Sequence, residues 1–116
     1  MAAVTGWDFN GGELLYLAIA GCESNDLFRE AHGKGIALDN VRVRASGNFS
    51  GDPALSSAVE YEVELTGAAP SEQLRALVDH VDRIAEIPNS LRGGTPVQLR
   101  ATHVAESPAA ARSSDH

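Results

Sequence analysis

The chain has 116 residues, the length of a single domain. Hydrophobic residues make up 43% and charged residues 22% of the sequence, so the chain can form a hydrophobic core. The formal net charge of −7 repels the phosphate backbone of nucleic acids, and a single cysteine excludes an internal disulfide bond. No signal-peptide pattern is present and the longest apolar run is far shorter than the ~20 residues that cross a bilayer, so we expect a cytoplasmic protein without nucleic-acid or membrane partners.

A long helix is predicted near the start of the chain. Residues 1–10 show no regular spacing and are expected to form an irregular arm or a short strand. The helix follows Gly11 and Gly12 and ends where Gly33 and Gly35 supply stop signals. Its first half, residues 14–22, is apolar on every side, which predicts that it is covered on all sides.

Two strands of complementary charge are predicted next. Residues 41–44 alternate apolar and basic side chains, and residues 59–65 alternate apolar and acidic ones, the spacing of half-buried strands. In an antiparallel pair, Arg42 and Arg44 share an exposed face with three glutamates, and each cross-strand pair contributes about 0.2–1 kcal/mol. The connection, residues 46–57, is rich in Gly, Ser, Asp and Pro and is expected to be a flexible loop.

A second helix and a last strand complete the predicted domain. The helix begins with Ser71 as its N-cap, has apolar residues at a spacing of three and four, and is stopped by Pro88 near Glu86. A loop over residues 89–95 and a strand over residues 97–104 follow. We expect one domain over residues 1–104 and a disordered tail over residues 105–116.

The order of elements predicts an α+β fold in which helices cover one face of a mostly antiparallel sheet. Three strands and a wholly apolar helix expose more apolar surface than this short chain can cover. We therefore expect a second copy of the chain as partner, most simply in a two-fold homodimer.

Cys22 is the only candidate nucleophile of the thiol type, and two interpretations are open. Free cysteine is among the most buried residue types, so Cys22 is either a small core residue or a reactive thiol. A reactive thiol needs a nearby cation or base, and it lies too far from the helix start for the helix dipole to act. Arg29, two turns further along the same face, and Arg92 are the candidate cations.

No metal or cofactor is predicted. Cys22 could pair with Asp26 or His32, but the clustered Cys and His spacing of a zinc site is missing. His80 and His103 fit surface side chains better than acid–base groups. The pair Gly11-Gly12 lacks the surrounding residues of a phosphate-binding loop.

The segment from Asn10 to Cys22 resembles the central-helix signature of the OsmC/Ohr superfamily, the osmotically inducible protein C and organic hydroperoxide resistance proteins. The shared pattern is an Asn-Pro-Glu-like start, a Leu, a run of small and apolar residues, and a cysteine. The resemblance continues into Ile87-Pro88-Asn89-Ser90, which is similar to the family's Cys-Pro-Tyr-Ser segment, and covers roughly residues 7–104.

The resemblance implies a fold in which two subunits intertwine around buried central helices. It also implies an attack on a hydroperoxide by Cys22, activated in the family by an arginine that a glutamate holds, and resolved by a second cysteine. Here Gly12 occupies the position of that glutamate, with Glu13 one residue away, and Ile87 occupies that of the resolving cysteine. Residues 1–10 contain no arginine. An oxidised Cys22 would therefore need an external thiol as reductant.

We expect an OsmC-like thiol protein of the oxidative stress response that reduces organic hydroperoxides or related electrophiles through one cysteine. Its catalytic residues are Cys22 and Glu13. The expected substrate-binding residues are aromatic or polar neighbours: Trp7, Phe9, Tyr16, Asn25 and Phe28. One alternative is a non-catalytic small-molecule binder or structural dimer with the same fold, and another is group transfer by Cys22.

Overall fold

The computed structural model describes residues 9–107, which form three helices, a three-stranded sheet and a small hairpin. The elements in chain order are α1 (Gly11–Gly33), β1 (Leu38–Ser46), β2 (Phe49–Ser50), β3 (Leu55–Ser56), β4 (Val59–Gly67), α2 (Ser71–Ile84), α3 (Glu86–Leu91) and β5 (Val97–Glu106). The helices pack on one face of the sheet, as the order of elements predicts. Trp7, one of the expected ligand-binding residues, lies outside the described residues.

The long helix α1 confirms the prediction, and local signals fix both of its ends. At the start, the Asn10 side chain accepts a hydrogen bond from the backbone N–H of Glu13 at 2.8 Å, and the Glu13 carboxylate accepts one from the backbone N–H of Asn10 at 3.3 Å. This reciprocal pair is a capping box. At the end, Gly35 adopts a φ of +71°, a conformation that glycine reaches without strain.

Residues 9–107 bury only one side of α1. Ile19, Leu27 and Ala31 are almost fully buried against the core, whereas Leu17 and Phe28 are 53% and 48% exposed. The first half of the helix is thus not covered on all sides by the part of the chain that the structure describes. The described residues therefore leave part of the apolar surface of α1 exposed.

The sheet confirms the predicted pairing of the two charged strands. β1 and β4 are antiparallel, with Arg42 opposite Glu64 and Arg44 opposite Glu62. β4 lies in the centre of the sheet and pairs with β5 in parallel, while β2 and β3 form an antiparallel hairpin. Two of the three strand pairings within residues 9–107 are therefore antiparallel.

The segment between β1 and β4 is not the flexible loop that its composition predicts. It contains the β2–β3 hairpin, which Ser57 closes by donating its backbone N–H to the Asn48 carbonyl at 2.7 Å. The hairpin turn includes Gly51 with a φ of +95°. Strands of two residues are too short to show an alternating pattern, so only turn residues were visible in the sequence.

Helix α2 differs from its prediction at both ends. Ser71 is the first helical residue, after Pro70, and makes no side-chain cap; its backbone N–H donates to Glu106 Oε1 at 2.8 Å. The helix ends at Ile84, and Pro88 lies inside the additional helix α3, where a loop was expected. A proline is tolerated there because it occupies the first turn, in which backbone N–H groups have no partner within the helix.

The last strand extends into the expected tail. β5 runs to Glu106, and Ser107 is buried and donates its backbone N–H to the Gly67 carbonyl at 2.9 Å. Residues 105–107 are therefore part of the fold, because they continue the pairing with β4. Residues 108–116 lie outside the described part of the chain.

Candidate functional site

A groove of about 440 Å³ lies between the first half of α1 and the middle of β1. Its walls are mostly apolar, and its lining residues are Phe9, Glu13, Tyr16, Leu17, Ala20, Val43, Arg44 and Ala45. Residues 13, 16, 17 and 20 are spaced so that they share one face of the helix. Three residues predicted from the sequence, Phe9, Glu13 and Tyr16, are thus brought together.

Arg44 is a lining residue that the sequence interpretation assigned only to cross-strand pairing. Its side chain is 63% exposed and its guanidinium lies 4.0 Å from the Glu62 carboxylate, so that pair holds it weakly. The strand alternation that placed Arg44 on the exposed face gave no indication that the edge of β1 borders a groove.

Gly12, at the position that the family resemblance assigns to a glutamate, lies beneath the Phe49 ring of the β2–β3 hairpin. A Cβ atom at position 12 would come within 2.8 Å of Phe49 Cε2, closer than two carbon atoms can approach. The Tyr16 ring contacts the same Phe49 ring, with 6.4 Å between the ring centroids. An aromatic pair therefore fills the space into which a side chain at position 12 would project.

Cys22 is half-buried and lies apart from the groove. It lies nine positions after Glu13, a rise of about 13.5 Å, and its side chain points to roughly the opposite side of α1 from the groove. Within one chain, Glu13 and Cys22 cannot touch. The Glu13 carboxylate accepts a hydrogen bond in the capping box instead, a structural role that the sequence interpretation did not include.

An ion pair lies on the same side of α1 as Cys22. Asp26 is one turn beyond the cysteine and Arg29 two turns beyond it, and Asp26 Oδ1 contacts Arg29 Nη2 at 3.1 Å. Asp26 is 7% exposed, so it fixes the guanidinium from a largely buried position. Asn25 and Phe28 lie on the exposed side of α1 and line neither this ion pair nor the groove.

Arg92, the other candidate cation, is occupied by structural contacts. Its guanidinium donates to Asp82 Oδ1 at 2.8 Å and to the Asp82 carbonyl at 2.9 Å. It also donates to Asn89 Oδ1 at 2.6 Å and to the Val97 carbonyl at 3.0 Å. Four of its five N–H groups are thus used to join α2, α3 and the start of β5.

Glu23, next to Cys22 in the chain, belongs to a buried polar cluster that sequence analysis missed. Glu23 is 1% exposed, and neither of its carboxyl oxygens has a hydrogen-bond partner in the described part of the chain. Burial raises the pKa of Glu23 from 4.5 to about 7, an effect that the nearby Tyr61 hydroxyl opposes and Asp82 reinforces. A single acidic residue in a helix of mixed polarity gives no sequence signal of burial.

Tyr61 connects this carboxyl to the Arg92 contacts. Its hydroxyl donates a hydrogen bond to Asp82 Oδ1, the oxygen that also accepts from Arg92. Burial, together with the hydrogen bond to Asp82, raises the pKa of Tyr61 well above its usual value, so the phenol stays protonated. The cluster therefore runs from Glu23 through Tyr61 and Asp82 to Arg92.

Among residues 9–107, no histidine forms a hydrogen bond with Cys22. His80 contacts Glu30 at 2.7 Å between α2 and α1, and His103 lies on the exposed face of the sheet. Within residues 9–107, no three His, Cys, Asp or Glu side chains are grouped so as to hold a metal ion. Over the same residues, no helix has the length and apolar character needed to cross a membrane.

The family model of OsmC-like proteins matches residues 5–100, so the chain belongs to the OsmC-like family. Its fold is similar to that of an OsmC-like protein from Mycoplasma pneumoniae, with a TM-score of 0.75 and 18% identity over 86% of this chain and 75% of that one. No curated protein matches the chain.

Two further solved structures with this fold are organic hydroperoxide resistance proteins. One is OsmC from Legionella pneumophila, with a TM-score of 0.65 and 19% identity over 85% of this chain and 72% of that one. The other is OhrB of Bacillus subtilis, also with a TM-score of 0.65, at 18% identity over 83% and 72% of the two chains. At these identities the likeness establishes the fold.

Proposed function

We propose that the protein is a one-cysteine thiol peroxidase that reduces organic hydroperoxides in the oxidative stress response. The observation that carries the proposal is the position of Cys22, half-buried on the central helix where the family's attacking cysteine is expected. The names of two relatives with the same fold, both organic hydroperoxide resistance proteins, agree with this substrate class.

The reaction needs a cycle that one cysteine can complete. The Cys22 thiolate attacks the distal oxygen of the hydroperoxide, the O–O bond breaks, and the leaving alkoxide takes up a proton to give an alcohol and a cysteine sulfenic acid. Ile87 at the resolving position forms no disulfide. An external thiol then condenses with the sulfenic acid, which releases water and leaves a mixed disulfide on Cys22. A second thiol attacks this mixed disulfide, which frees the Cys22 thiol and releases the reductant as its disulfide.

Arg29 is the cation that we assign to the thiolate. Side chains on a helix lean toward its N-terminus, so a guanidinium at position 29 extends back toward Asp26 and Cys22. Asp26 takes the part of the acid that holds the arginine. This pair would replace the family's glutamate and N-terminal arginine. The position of that glutamate is occupied here by Gly12, which lies under Phe49. A positive charge near the thiol favours its reactive thiolate form.

A homodimer is part of the proposal. Leu14, Leu17 and Phe28 form an exposed apolar stripe along α1, 37%, 53% and 48% exposed, and a second copy of the helix would cover it. In such a dimer the groove of one chain faces the other, and the proposed catalytic contribution of Glu13 would have to be made across the interface. Glu13→Gln tests it, because glutamine at this position also completes a capping box.

The test follows consumption of cumene hydroperoxide with dithiothreitol as the external thiol. We expect turnover by the parent protein and background consumption by Cys22→Ser, with a sulfenic acid trapped by dimedone on the parent only. Arg29→Met should lower the rate at least tenfold, while Arg100→Met, a similarly exposed arginine on the sheet, leaves it unchanged. Equal consumption by the parent and Cys22→Ser would reject the peroxidase.

A second candidate function is non-catalytic binding of an apolar small molecule in the groove. The Phe49 ring over Gly12 favours this binding function. The ring fills the position of the family's activating acid and extends the apolar wall next to the 440 Å³ groove. An aromatic carboxylate that raises the melting temperature of the parent but not of Ala20→Trp, in which the groove is filled, would support binding. Iodoacetamide labelling of Cys22 no faster than in the unfolded chain would support it further.

A further inference from the structure

Glu23 is the most deeply buried acidic side chain among residues 9–107. Neither of its carboxyl oxygens accepts a hydrogen bond from the described residues. A buried carboxylate without donors is strongly destabilised, whereas a neutral carboxylic acid loses far less on leaving water. The surroundings of Glu23 therefore favour the protonated form over the charged one.

The groups that face Glu23 come from each element packed around it, and they leave it no donor. Tyr61 on β4 has a single hydroxyl hydrogen, which goes to Asp82 on α2. Arg92, after α3, places four of its five N–H groups on other acceptors. Asp26 on α1 itself adds a second negative charge nearby.

We propose that Glu23 is a proton-binding site, a carboxylic acid that is neutral in the folded protein at mildly acidic pH and whose ionisation loosens the packing of α1 against β4 and α2. The Tyr61 hydroxyl has a single hydrogen, which it donates to Asp82. It cannot donate to two carboxylates at once, so ionised Glu23 competes with Asp82 for one hydrogen. The pKa of Glu23, raised by burial to about 7, places this competition near neutral pH.

This inference does not depend on thiol chemistry, since Glu23 projects away from Cys22 into the interior. Ionisation of Glu23 makes the packing of α1 against β4 and α2 depend on pH. Two measurements can test this pH dependence. One is the titration of the Glu23 carboxyl, and the other is the protection of the α1 and β4 amides against hydrogen exchange.

The first experiment titrates the 13C-labelled Glu23 carboxyl of the full chain by NMR, with assignment by triple-resonance experiments on the parent protein. We expect a midpoint near pH 7. Tyr61→Phe should raise the midpoint further, because the hydroxyl that favours the charged form is lost. A midpoint in the ordinary carboxyl range, or one unmoved by Tyr61→Phe, would overturn the proposal.

The second experiment measures protection factors of core amides that exchange by global unfolding. Relative to Glu23→Gln, protection in the parent should fall by up to about 70-fold between pH 5 and pH 8, the range over which the folded state must give up the Glu23 proton. Protection that changes equally in the two proteins contradicts the inference. Should Glu23→Gln not fold, the titration of the parent protein still decides the question.

Discussion

The Arg92 guanidinium meets the Asp82 carboxylate with 2.8 Å between Nη2 and Oδ1, at the junction of α2 and α3. Both side chains are 28% exposed, and the arginine also donates to the Asp82 carbonyl and to the start of β5. One side chain thus fixes the turn between the two helices and the entry into the last strand. Arg92, which sequence analysis considered as a partner for Cys22, is a structural residue.

Replacing Arg92 by methionine should destabilise the protein by about 1–3 kcal/mol, because several half-buried acceptors lose their donor. Arg100→Met is the matched control. Arg100 is 61% exposed and pairs with Glu60 and Glu62 on the open face of the sheet, so its loss should cost at most ~1 kcal/mol. Urea unfolding curves of the two variants decide the point, and equal losses of free energy of unfolding would contradict the structural role of Arg92.

Gly12 and Gly11 give a second matched pair. Alanine at position 12 would force the Phe49 ring aside, whereas none of residues 9–107 comes within 4 Å of a Cβ atom at position 11. Gly11→Ala should be neutral or stabilising by up to about 1 kcal/mol, since alanine favours helix, and Gly12→Ala should be less stable than it by about 1–3 kcal/mol. Phe49→Ala in both backgrounds is the check, because the difference between the two variants should then disappear.

The parts of the fold that the sequence predicts are those with a repeated local signal. The alternation of Arg42 and Arg44 with the glutamates of β4 predicts both strands and their antiparallel pairing, and Asn10 with Glu13 marks the start of α1. The sequence does not predict the β2–β3 hairpin, because strands of two residues are too short to show an alternating pattern. It does not predict α3 either, because a proline in the first turn of a helix cannot be told by sequence from a proline that ends the preceding helix.

The candidate site was predictable only in part for a different reason. Residues such as Tyr16 and Glu13 share a helix face, and helical spacing brings them to one groove. The partners of Glu23 lie on β4 and α2, far away in the chain, and no spacing within one element indicates such a contact. The position of Cys22 opposite the groove follows from the helix period, once β1 is known to pack beside Tyr16 and Ala20.

The apolar stripe of α1 leads to a prediction about assembly. Leu17→Glu should convert the proposed dimer to a monomer, because it places a charge in the surface that a second helix would cover. Leu55→Glu is the control, since Leu55 is 72% exposed but lies on the β2–β3 hairpin and not on α1. Sedimentation velocity should show dimers for the parent and Leu55→Glu. A monomeric parent, or a dimeric Leu17→Glu, would disprove the proposed interface.

The buried carboxyl of Glu23 predicts an unusual pH dependence of stability. Its pKa is about 7 in the folded protein and 4.5 when it is unperturbed, so the folded state holds the proton more tightly than the unfolded state does. Stability is therefore full below pH 4.5, and it falls as the pH rises toward 7. The loss reaches up to about 3 kcal/mol and stays constant above pH 7.

Glu23→Gln should abolish this loss, because the amide carries no ionisable proton. The free energy of unfolding of the variant should exceed that of the parent increasingly between pH 4.5 and pH 7, measured by urea unfolding at each pH. Glu13→Gln is the control, because it removes a charge from the same helix and keeps the helix cap. Its change in free energy of unfolding measures the general charge repulsion in this acidic chain and is subtracted from that of Glu23→Gln. A difference between Glu23→Gln and the parent that does not change with pH would mean that Glu23 is already ionised in the folded protein.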